Sequence, residues 1–390
     1  MRIVVIGGGV MGSALAYFLV AEPKFAGEVV VLERDPSYRF ASSARSASSI
    51  RQQFSTSINI AIGRFGAAFL REGRARLAVD GEAPALGFVE GGYLFLATAD
   101  RLASLEANVR VERSCGADIA LLSPAELGRR FPWLSVDGLA GGSLGLSGEG
   151  WFDGWALLQG FRRKAIRLGA RFVTAEVVEA ERRGRRAIAV RTRDGERIAG
   201  DLFVNAAGPW AGKVAEMFGV FLPVEARRRC VFVVSCPEPP RPCPLVIDTS
   251  GVWFRPEGEG FLCGAAPPPE RDRPDLPLDE VDHGLFEDII WPALAHRVPA
   301  FERLRVTGAW AGYYEFNTFD ANGLVGPHPD LDNMLCANGF SGHGIQQAPA
   351  VGRGLAEWIC HGRYLSLDLS PLAPERLRRG ERLLERHVIG

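Results

Sequence analysis

The stretch RIVVIGGGVMG at residues 2–12 joins a short apolar run to a cluster of glycines. The apolar run predicts a buried strand over Arg2–Ile6, and the residues after the glycines predict a helix over Ser13–Val20. A second apolar run, EVVVL at 28–32, predicts another strand that ends in Glu33. This order is a β-α-β unit with the pattern G-x-G-x-x-G at its first turn, which indicates an α/β fold of the Rossmann type.

Each glycine of this turn has its own physical reason. Gly7 permits the tight turn, Gly9 lets backbone N–H groups approach a pyrophosphate, and Gly12 lets the helix lie close to the strand. The phosphates would sit at the positive end of the helix dipole. Glu33 can accept hydrogen bonds from both ribose hydroxyls and disfavours the 2′-phosphate of NADP. The pattern predicts a dinucleotide site; taken alone it does not separate FAD from NAD, and the alternative is a glycine-rich turn in an unrelated α/β protein.

The overall composition excludes several other classes of protein. A chain of 390 residues with a formal net charge of −1 suits a two-domain globular protein and not a general binder of nucleic acids or anionic membranes. The sequence has no run long and apolar enough to predict a transmembrane helix. Seven scattered cysteines without a CxxC pair predict a reducing, cytoplasmic location and no metal site. The histidines and serines form no HExxH or GxSxG motif.

A second glycine cluster lies near the other end of the chain, in NGFSGHGIQQAP at 338–349. Gly339, Gly342 and Gly344 precede a helix predicted to begin near Ile345, with Pro349 expected in its first turn. Exposed N–H groups at a helix N-terminus supply positive potential. This loop therefore predicts a site for the pyrimidine edge of a flavin, which becomes negative on reduction. His343 is either a catalytic base or a residue that packs beneath the cofactor.

Two internal stretches of small residues fit the same picture. RFASSARSASSIRQQF at 39–54 is either a loop that passes over a flat cofactor or a flexible surface loop. IAGDLFVNAAG at 198–208 predicts a strand that ends in small residues, where backbone can approach a ligand or simply turn tightly into a helix. Between them, a helix over Trp155–Leu168 and a strand over Arg171–Glu179 are expected.

Together these stretches resemble a known family. GGGVMG with Glu33, the loop SSARSASSIRQQF, NAAGPWA and GFSGHGIQQAP are similar to the D-amino-acid oxidase and sarcosine oxidase superfamily (DAO) of FAD enzymes, over essentially the whole chain. Within it, IRQQF, WAGYYEFNTFDANGLVGPHP (310–329) and GFSGHGIQQAP are similar to FAD-dependent oxidoreductase domain proteins that help assemble mitochondrial complex I, and to their bacterial relatives. ARSAS and FRPEGEGFLCG are also similar to D-amino-acid dehydrogenases.

The resemblance implies the fold and its division into domains. It implies an α/β (α+β) fold, in which a Rossmann-like FAD-binding domain of the glutathione-reductase type is interleaved with a substrate domain built on a large mixed or antiparallel sheet. The FAD-binding domain is expected to take residues 1–85, 146–218 and 309–390, and the substrate domain 86–145 and 219–308. GGYLFLA (91–97), RCVFVVS (229–235) and GVWFRP (251–256) predict strands of that substrate domain.

The resemblance also implies which residues bind the cofactor. The candidate FAD-binding residues are Gly7, Gly9, Val10, Met11, Gly12, Glu33, Arg34, Ser42, Ser43, Arg45, Ser46, Ala47, Val177, Ala206, Ala207, Gly208, Trp210, Gly312, Gly339, Phe340, Gly342, His343, Gly344, Ile345 and Gln346. Gly312 stands where sarcosine oxidases have the cysteine that tethers the flavin, and the 39–54 loop has no histidine. We therefore expect non-covalent FAD.

The candidate substrate residues are implied by the same resemblance. Arg51 matches the arginine that binds a substrate carboxylate in sarcosine oxidase-like enzymes, since its planar fork suits that group; the alternative is a surface salt bridge. Tyr314 matches a substrate-lining tyrosine. Trp253 and Arg255 lie on a strand expected to face the flavin, and the sequence leaves open which one points inward. Gln346 replaces a lysine ligand of sarcosine oxidases, as in D-amino-acid dehydrogenases.

The favoured hypothesis is an FAD-dependent oxidation of the C–N bond of an amino acid or N-alkyl amino acid (D-amino acid, sarcosine-like or glycine-like) by hydride transfer. Leu262 replaces the lysine that helps sarcosine oxidases reduce oxygen, which favours a dehydrogenase that passes electrons to a quinone or carrier protein over one that uses O2. Two alternatives stay open: a 2-hydroxy-acid dehydrogenase, and a non-catalytic FAD-bound assembly factor for respiratory-chain subunits. The arginine-rich segment Glu375–His387 is predicted to be an amphipathic helix, either solvated or docked to a protein or membrane surface.

Overall fold

The computed structural model describes residues 1–386. The predicted segment Glu375–His387 therefore ends outside the described residues at position 387. No helix in the described part of the chain combines the length and apolar character needed to span a bilayer.

The described chain contains these strands: β1 (Arg2–Ile6), β2 (Glu28–Glu33), β3 (Ser49–Ile50), β4 (Tyr93–Ala97), β5 (Ile119–Leu122), β6 (Gly141–Gly145), β7 (Gly150–Trp151), β8 (Arg171–Thr174), β9 (Val177–Arg183), β10 (Arg186–Thr192), β11 (Arg197–Ala199), β12 (Leu202–Asn205), β13 (Val224–Ser235), β14 (Leu245–Ile247), β15 (Trp253–Glu257), β16 (Gly260–Gly264), β17 (Arg305–Asn317), β18 (Leu324–Pro327) and β19 (Met334–Asn338). The α-helices are α1 (Val10–Ala21), α2 (Ser57–Arg76), α3 (Ala99–Ser114), α4 (Pro124–Arg130), α5 (Gly154–Arg167), α6 (Ala211–Met217), α7 (His283–Leu285), α8 (Trp291–Arg297), α9 (Gly344–His361) and α10 (Glu375–Arg379).

The first sheet has six strands in the order β18-β19-β12-β1-β2-β8. Its strands run parallel except for β18, which pairs antiparallel with β19 at one edge. The inner strands are apolar on both faces, as expected for a parallel sheet covered by helices on one side and by further chain on the other. Helices α1, α2, α5 and α9 share one core against this sheet, so the end of the chain completes a layer begun by its first residues.

The second sheet has eight strands in the order β17-β13-β16-β15-β14-β4-β6-β5. Its pairs are antiparallel except for β14 with β4, so the sheet is mixed. Helices α4 and α8 cover one face, where Phe232, Phe254 and Phe301 form an aromatic core. The other face is turned toward the first sheet and borders the cavity described below. The predicted domain boundary between 308 and 309 falls inside β17, which belongs to this second sheet.

Three local predictions are wrong in detail. The strand expected over Arg171–Glu179 is two strands, because the chain leaves the first sheet after β8 and enters a separate three-stranded sheet as β9. The strand expected within 198–208 is likewise divided, into β11 and β12. The C-terminal helix is only α10, five residues long, because Gly380 follows it in a left-handed conformation (φ 66°).

The C-terminal segment is bound to its own chain. Arg376 is buried and forms a two-fold ion pair with Asp320, with nitrogen–oxygen distances of 3.0 Å. Further on, the Glu385 carboxylate accepts hydrogen bonds from the backbone N–H of Ser55 (2.6 Å) and from the amide of Asn59 (2.7 Å), next to the start of α2. The segment therefore does not present the long amphipathic face that the sequence predicts.

Candidate active site

The turn between β1 and α1 leaves no room for side chains. Gly7 has a φ of 104°, and a Cβ atom there would lie 2.3 Å from the carbonyl oxygen of Ala206. A Cβ on Gly12 would lie 2.0 Å from the carbonyl oxygen of Gly7. Helix α1 is therefore held directly against the β1 turn, and its first N–H groups face the space beside the carboxyl ends of β1 and β12.

Glu33 and Ser43 support this turn from either side. The Glu33 carboxylate accepts hydrogen bonds from the backbone N–H of Gly8 (2.8 Å) and of Asp35 (2.9 Å), and burial raises its pKa. The Ser43 hydroxyl accepts from the N–H of Val10 at 3.1 Å. The neighbouring Ser42 Oγ is buried without a hydrogen-bond partner, which leaves a polar atom available to a ligand.

A single cavity of about 970 Å³ extends from this turn to the face of the second sheet. Most of the predicted site residues line it, from stretches scattered over the whole chain. They are Gly7, Gly9, Val10, Met11, Glu33, Arg34, Ser42, Ser43, Arg45, Ser46, Ala47, Arg51, Val177, Ala206, Ala207, Gly208, Trp210, Trp253, Gly312, Tyr314, Gly342, His343, Gly344, Ile345 and Gln346. Their individual roles in binding stay predictions.

Four predicted residues lie outside the cavity wall: Gly12, Gly339, Phe340 and Arg255. Gly12 packs against the carbonyl of Gly7, and Phe340 is buried in the core beneath the loop that precedes α9. Arg255 is 4% exposed, and its guanidinium donates to the carbonyl oxygen of Ala47 at 2.7 and 3.1 Å. Trp253 is thus the member of the pair that reaches the cavity, while Arg255 fastens the 39–54 loop to the second sheet.

Helix α9 begins at Gly344, beside β17. A Cβ on Gly342 would lie 2.4 Å from the ring of Tyr314, so the loop backbone is in close contact with that tyrosine. The neighbouring Glu315 carboxylate accepts from the N–H of Gly339 at 3.2 Å, and burial raises its pKa to about 8. The expectation for Pro349 is wrong: it is the sixth residue of α9, where its missing N–H removes a hydrogen bond to the carbonyl of Ile345.

Arg51 is the most deeply buried charge in the cavity wall, with 2% of its surface exposed. Its guanidinium donates to the carbonyl oxygen of Gln53 (2.7 Å) and to Nε2 of His343 (2.8 Å). Burial lowers its pKa, and among the described residues no carboxylate lies within 4.0 Å of it. A buried arginine without an ion-pair partner is a strong site for an anion, because binding one removes an uncompensated charge.

His343 is a weak base in this environment. Burial and the charge of Arg51 lower its pKa to about 3. Because an arginine can only donate, Nε2 of His343 accepts in this contact, and the ring proton is on Nδ1. The imidazole therefore orients Arg51, and the backbone N–H of Arg51 donates in turn to Oε1 of Gln346 at 2.8 Å.

Glu149 fixes the chain next to Arg51, a role that sequence reasoning missed. It is fully buried, and one carboxylate oxygen accepts from the backbone N–H of Gln52 (2.5 Å) and Gln53 (3.0 Å). The other oxygen accepts from the Gln53 side chain at 2.8 Å. No local motif in GLSGEGW marks Glu149, because its partners lie nearly a hundred positions earlier in the chain.

Sequence reasoning also missed cavity residues contributed by the second sheet: Tyr93, Arg229, Val231, Leu245, Ile247 and Glu315. The alternation of apolar residues predicts the strands that carry several of them, but it does not tell which face borders the cavity. Only the register between strands that are distant in sequence places these side chains together.

Comparison with known proteins decides the family. The model of the family described as DAO, FAD dependent oxidoreductase, matches residues 2–358. The chain belongs to this family. Its cofactor is FAD, and the predicted fold class and family resemblance are confirmed.

Individual relatives of this DAO-family chain agree with that assignment. FAD-dependent oxidoreductase domain-containing protein 1 of Xenopus laevis is 43% identical, over 99% of this chain and 84% of the relative. Mitochondrial sarcosine dehydrogenase of Mus musculus is 29% identical, over 93% of this chain and 40% of the relative. The crystal structure of L-proline dehydrogenase from P. horikoshii superimposes with a TM-score of 0.84, at 27% identity and over 98% and 99% of the two chains.

The residues of the cavity fit FAD. The first turn of α1 carries no acidic side chain that would repel a pyrophosphate, and the unpartnered Ser42 Oγ lies in the adjacent wall. At the other end, the start of α9 points its N–H groups into the same cavity, where they suit the electron-rich edge of an isoalloxazine ring.

Proposed function

We propose that this protein oxidises the C–N bond of an amino acid or N-alkyl amino acid and passes the electrons on as a dehydrogenase. The observation that carries this proposal is Arg51: a buried guanidinium without a carboxylate partner, at the end of the FAD cavity that faces the second sheet. A carboxylate bound there would be bidentate and shielded from water.

Bound FAD supplies a two-electron acceptor for a hydride from the carbon next to nitrogen. The chain's own residues provide position and charge. Arg51, oriented by His343, holds the carboxylate, and Tyr314 limits the space on the side of β17. The nitrogen must be uncharged when the hydride leaves, because its lone pair forms the second bond of the iminium product, which water then hydrolyses. The N-terminus of α9 stabilises negative charge that develops beside it.

The geometry around His343 favours an amine over a 2-hydroxy acid. Oxidation of a hydroxyl group requires a base to remove its proton, and Nε2 of His343 already accepts from Arg51. Burial raises the pKa values of the nearby tyrosines Tyr93 and Tyr314. Their hydroxyl groups therefore stay protonated and act as hydrogen-bond donors, not as bases. A neutral amine needs no base of this kind.

Two observations support a dehydrogenase over an oxidase. Leu262, which stands in place of a catalytic lysine of sarcosine oxidases, is buried and outside the cavity wall. Names of relatives such as sarcosine dehydrogenase and L-proline dehydrogenase describe the same reaction class in those proteins. We propose a quinone or a carrier protein as the electron acceptor.

The test is an anaerobic titration of the purified flavoprotein, followed through the flavin absorption band. Separate pools of D-, L- and N-methyl amino acids and of 2-hydroxy acids are added, and air is then readmitted. We expect bleaching by an amine pool and slow reoxidation in air. Bleaching only by hydroxy acids contradicts the amine proposal. A flavin that dithionite reduces and no pool bleaches, together with a copurifying respiratory subunit, favours the assembly-factor alternative.

A further inference from the structure

The face of the second sheet that borders the cavity carries an apolar chamber, formed by Tyr93, Val231, Leu245, Ile247 and Trp253. The strand register places these five side chains on one face. Leu245 is opposite Tyr93, Ile247 is opposite Trp253, and both Trp253 and Val231 are opposite Gly264. Directly paired residues project to the same side of a sheet, so five positions spread over four strands form one surface.

Gly264 gives this chamber its floor. A Cβ atom at Gly264 would lie 2.8 Å from Cζ2 and 3.0 Å from Cε2 of Trp253. The indole ring therefore packs against the backbone of β16 at Gly264, a contact that any larger residue at this position would block.

Apart from Arg51, the charged groups around the chamber are held by protein partners, although the buried Nε of Arg229 donates to none among the described residues. Arg229 forms an ion pair with Asp272 at 2.8 Å, and Glu315 is held by the N–H of Gly339. The hydroxyl of Tyr93 donates to Ser49 Oγ at 2.7 Å. A charged group that entered the chamber would lose its water without gaining an unpaired counter-charge, because Arg229 is already paired with Asp272, and this is unfavourable.

Arg51 lies beside this surface. Its Cζ atom is 5.5 Å from the ring centroid of Phe95, which is on the same face of β4 as Tyr93 and is paired with Ile247. A carboxylate held by Arg51 therefore leaves the remainder of its molecule within reach of the chamber.

We propose that the chamber receives the side chain of the substrate, and that this side chain is uncharged, apolar and larger than a methyl group. This inference rests on the proposed function, because Arg51 must hold the carboxylate for the side chain to reach the chamber. Glycine-like or sarcosine-like substrates leave the chamber unfilled, and acidic or basic amino acids place a charge in it. Each missing methylene in such a pocket lowers affinity roughly 10-fold or more.

Binding of unreactive carboxylates tests the inference without any turnover. The FAD-loaded protein is titrated with acetate, isovalerate and succinate, and each Kd is read from the change in the visible flavin spectrum. Isovalerate is expected to bind at least about 10-fold more tightly than acetate, and succinate no more tightly than acetate. Equal affinities for acetate and isovalerate, or a preference for succinate, would overturn the inference and leave the proposed reaction standing.

Two variants on one strand provide the matched control. Ile247→Ala removes part of the chamber wall. It should raise the Kd of isovalerate roughly 5-fold and change the Kd of acetate less than about 2-fold. Val246→Ala removes a side chain of the same strand that faces the opposite core, and should leave the ratio of the two Kd values unchanged. An equal loss of preference in both variants would contradict a role for the chamber.

The outcomes separate this inference from the proposed function. Tight isovalerate binding in a protein whose flavin no amine reduces supports the chamber and overturns amine oxidation. Reduction by glycine or sarcosine in preference to leucine-sized amino acids supports amine oxidation and overturns the chamber. Failure of every carboxylate to perturb the flavin overturns both, because neither stands without an anion at Arg51.

Discussion

The two ends of the cavity are built from different parts of the chain. At the α1 end the wall includes many small residues from short stretches of the chain, namely Gly7, Gly9, Ser42, Ser43, Ser46 and Ala47. At the end facing the second sheet, the wall is made of large side chains from β4, β13, β14, β15 and β17. A phosphate-bearing cofactor is bound through backbone N–H groups, which all residues except proline have. Such a site therefore requires mainly small residues that leave the backbone accessible. Selection of a substrate depends on side chains, so its determinants are dispersed.

Charge is also handled differently within the substrate end. Arg51 and Arg229 are both buried in the same cavity wall, at 2% and 7% exposure. Arg229 is paired with Asp272, whereas Arg51 has a neutral imidazole and a carbonyl oxygen as partners. The difference distinguishes an arginine whose charge is already compensated by a carboxylate from one whose charge is not.

The largest effect is expected from a substitution at the end of the cavity that binds the cofactor. Gly12→Ala places a methyl group 2.0 Å from the Gly7 carbonyl, which must displace α1 from β1. We expect the variant to be isolated largely without FAD and to lose about 1–3 kcal/mol of unfolding free energy. Bound flavin after gel filtration and urea unfolding measure the two effects.

Gly9→Ala is the matched control for that variant. Its Cβ would lie 3.6 Å from Ser43 Oγ, an ordinary contact, so the apoprotein should unfold as the wild type does. FAD affinity should still fall roughly 10-fold or more, because the methyl group takes space needed by the pyrophosphate. Unchanged FAD affinity in this variant would contradict the placement of the phosphates at α1.

The next largest effect is expected at the end of the cavity that binds the substrate, without loss of the cofactor. Arg51→Gln should retain FAD and weaken carboxylate binding roughly 100-fold, since removal of one partner of a buried charge pair costs about 2–5 kcal/mol. Arg51→Lys keeps the charge without the planar guanidinium, so its carboxylate affinity should lie between those of wild type and Arg51→Gln. Isovalerate titration of the flavin spectrum gives the affinities. Wild-type affinity in Arg51→Gln would show that the anion binds elsewhere.

Arg229→Gln sharpens the contrast between the two arginines. It leaves Asp272 without its 2.8 Å partner and should lower the unfolding free energy by about 1–3 kcal/mol. Carboxylate affinity should change less than about 5-fold. The double variant Arg229→Gln with Asp272→Asn is expected to recover part of the lost stability in denaturant titrations. A loss of carboxylate affinity as large as that of Arg51→Gln contradicts the assignment of Arg229 to structure.

The smallest expected effect concerns the pH dependence of Glu315. Burial raises its pKa from the ordinary 4.5 to about 8, so the folded protein binds more protons than the unfolded chain between these values. Stability therefore falls as pH rises through that window, and Glu315→Gln should remove this contribution. Because Glu315 is only partly buried, we expect the variant to gain about 1 kcal/mol relative to wild type between pH 5 and pH 8. An unchanged pH profile of urea unfolding contradicts the raised pKa.

The same contrast explains which features the sequence predicts. The β1–α1 turn, Glu33 and the glycine loop before α9 follow local rules, so their positions can be read from short stretches. Trp253 and Arg255 cannot be separated in this way, because both project from one face of β15. Arg255 is held outside the cavity wall by Ala47, on a distant loop, and by Glu257. Glu149 and Arg229 carry no motif, because their partners are set by the tertiary fold.

Other predictions failed because a glycine ended an element early or because tertiary contacts overrode the local pattern. The arginine-rich periodicity after Glu375 predicts a long surface helix, but Gly380 ends it and Asp320 draws Arg376 into the interior. The break between β8 and β9 has a similar cause: the second half of the apolar run pairs with β10 and not with β2.

The most direct test of the central claim compares an acid with its neutral isostere. Isovalerate and isovaleramide differ in charge and little in shape, so their Kd ratio reports the contribution of the charge. The account predicts that wild type prefers the acid by roughly 100-fold and that Arg51→Gln loses most of this preference. The same preference in both proteins would contradict the claim that Arg51 holds the substrate carboxylate.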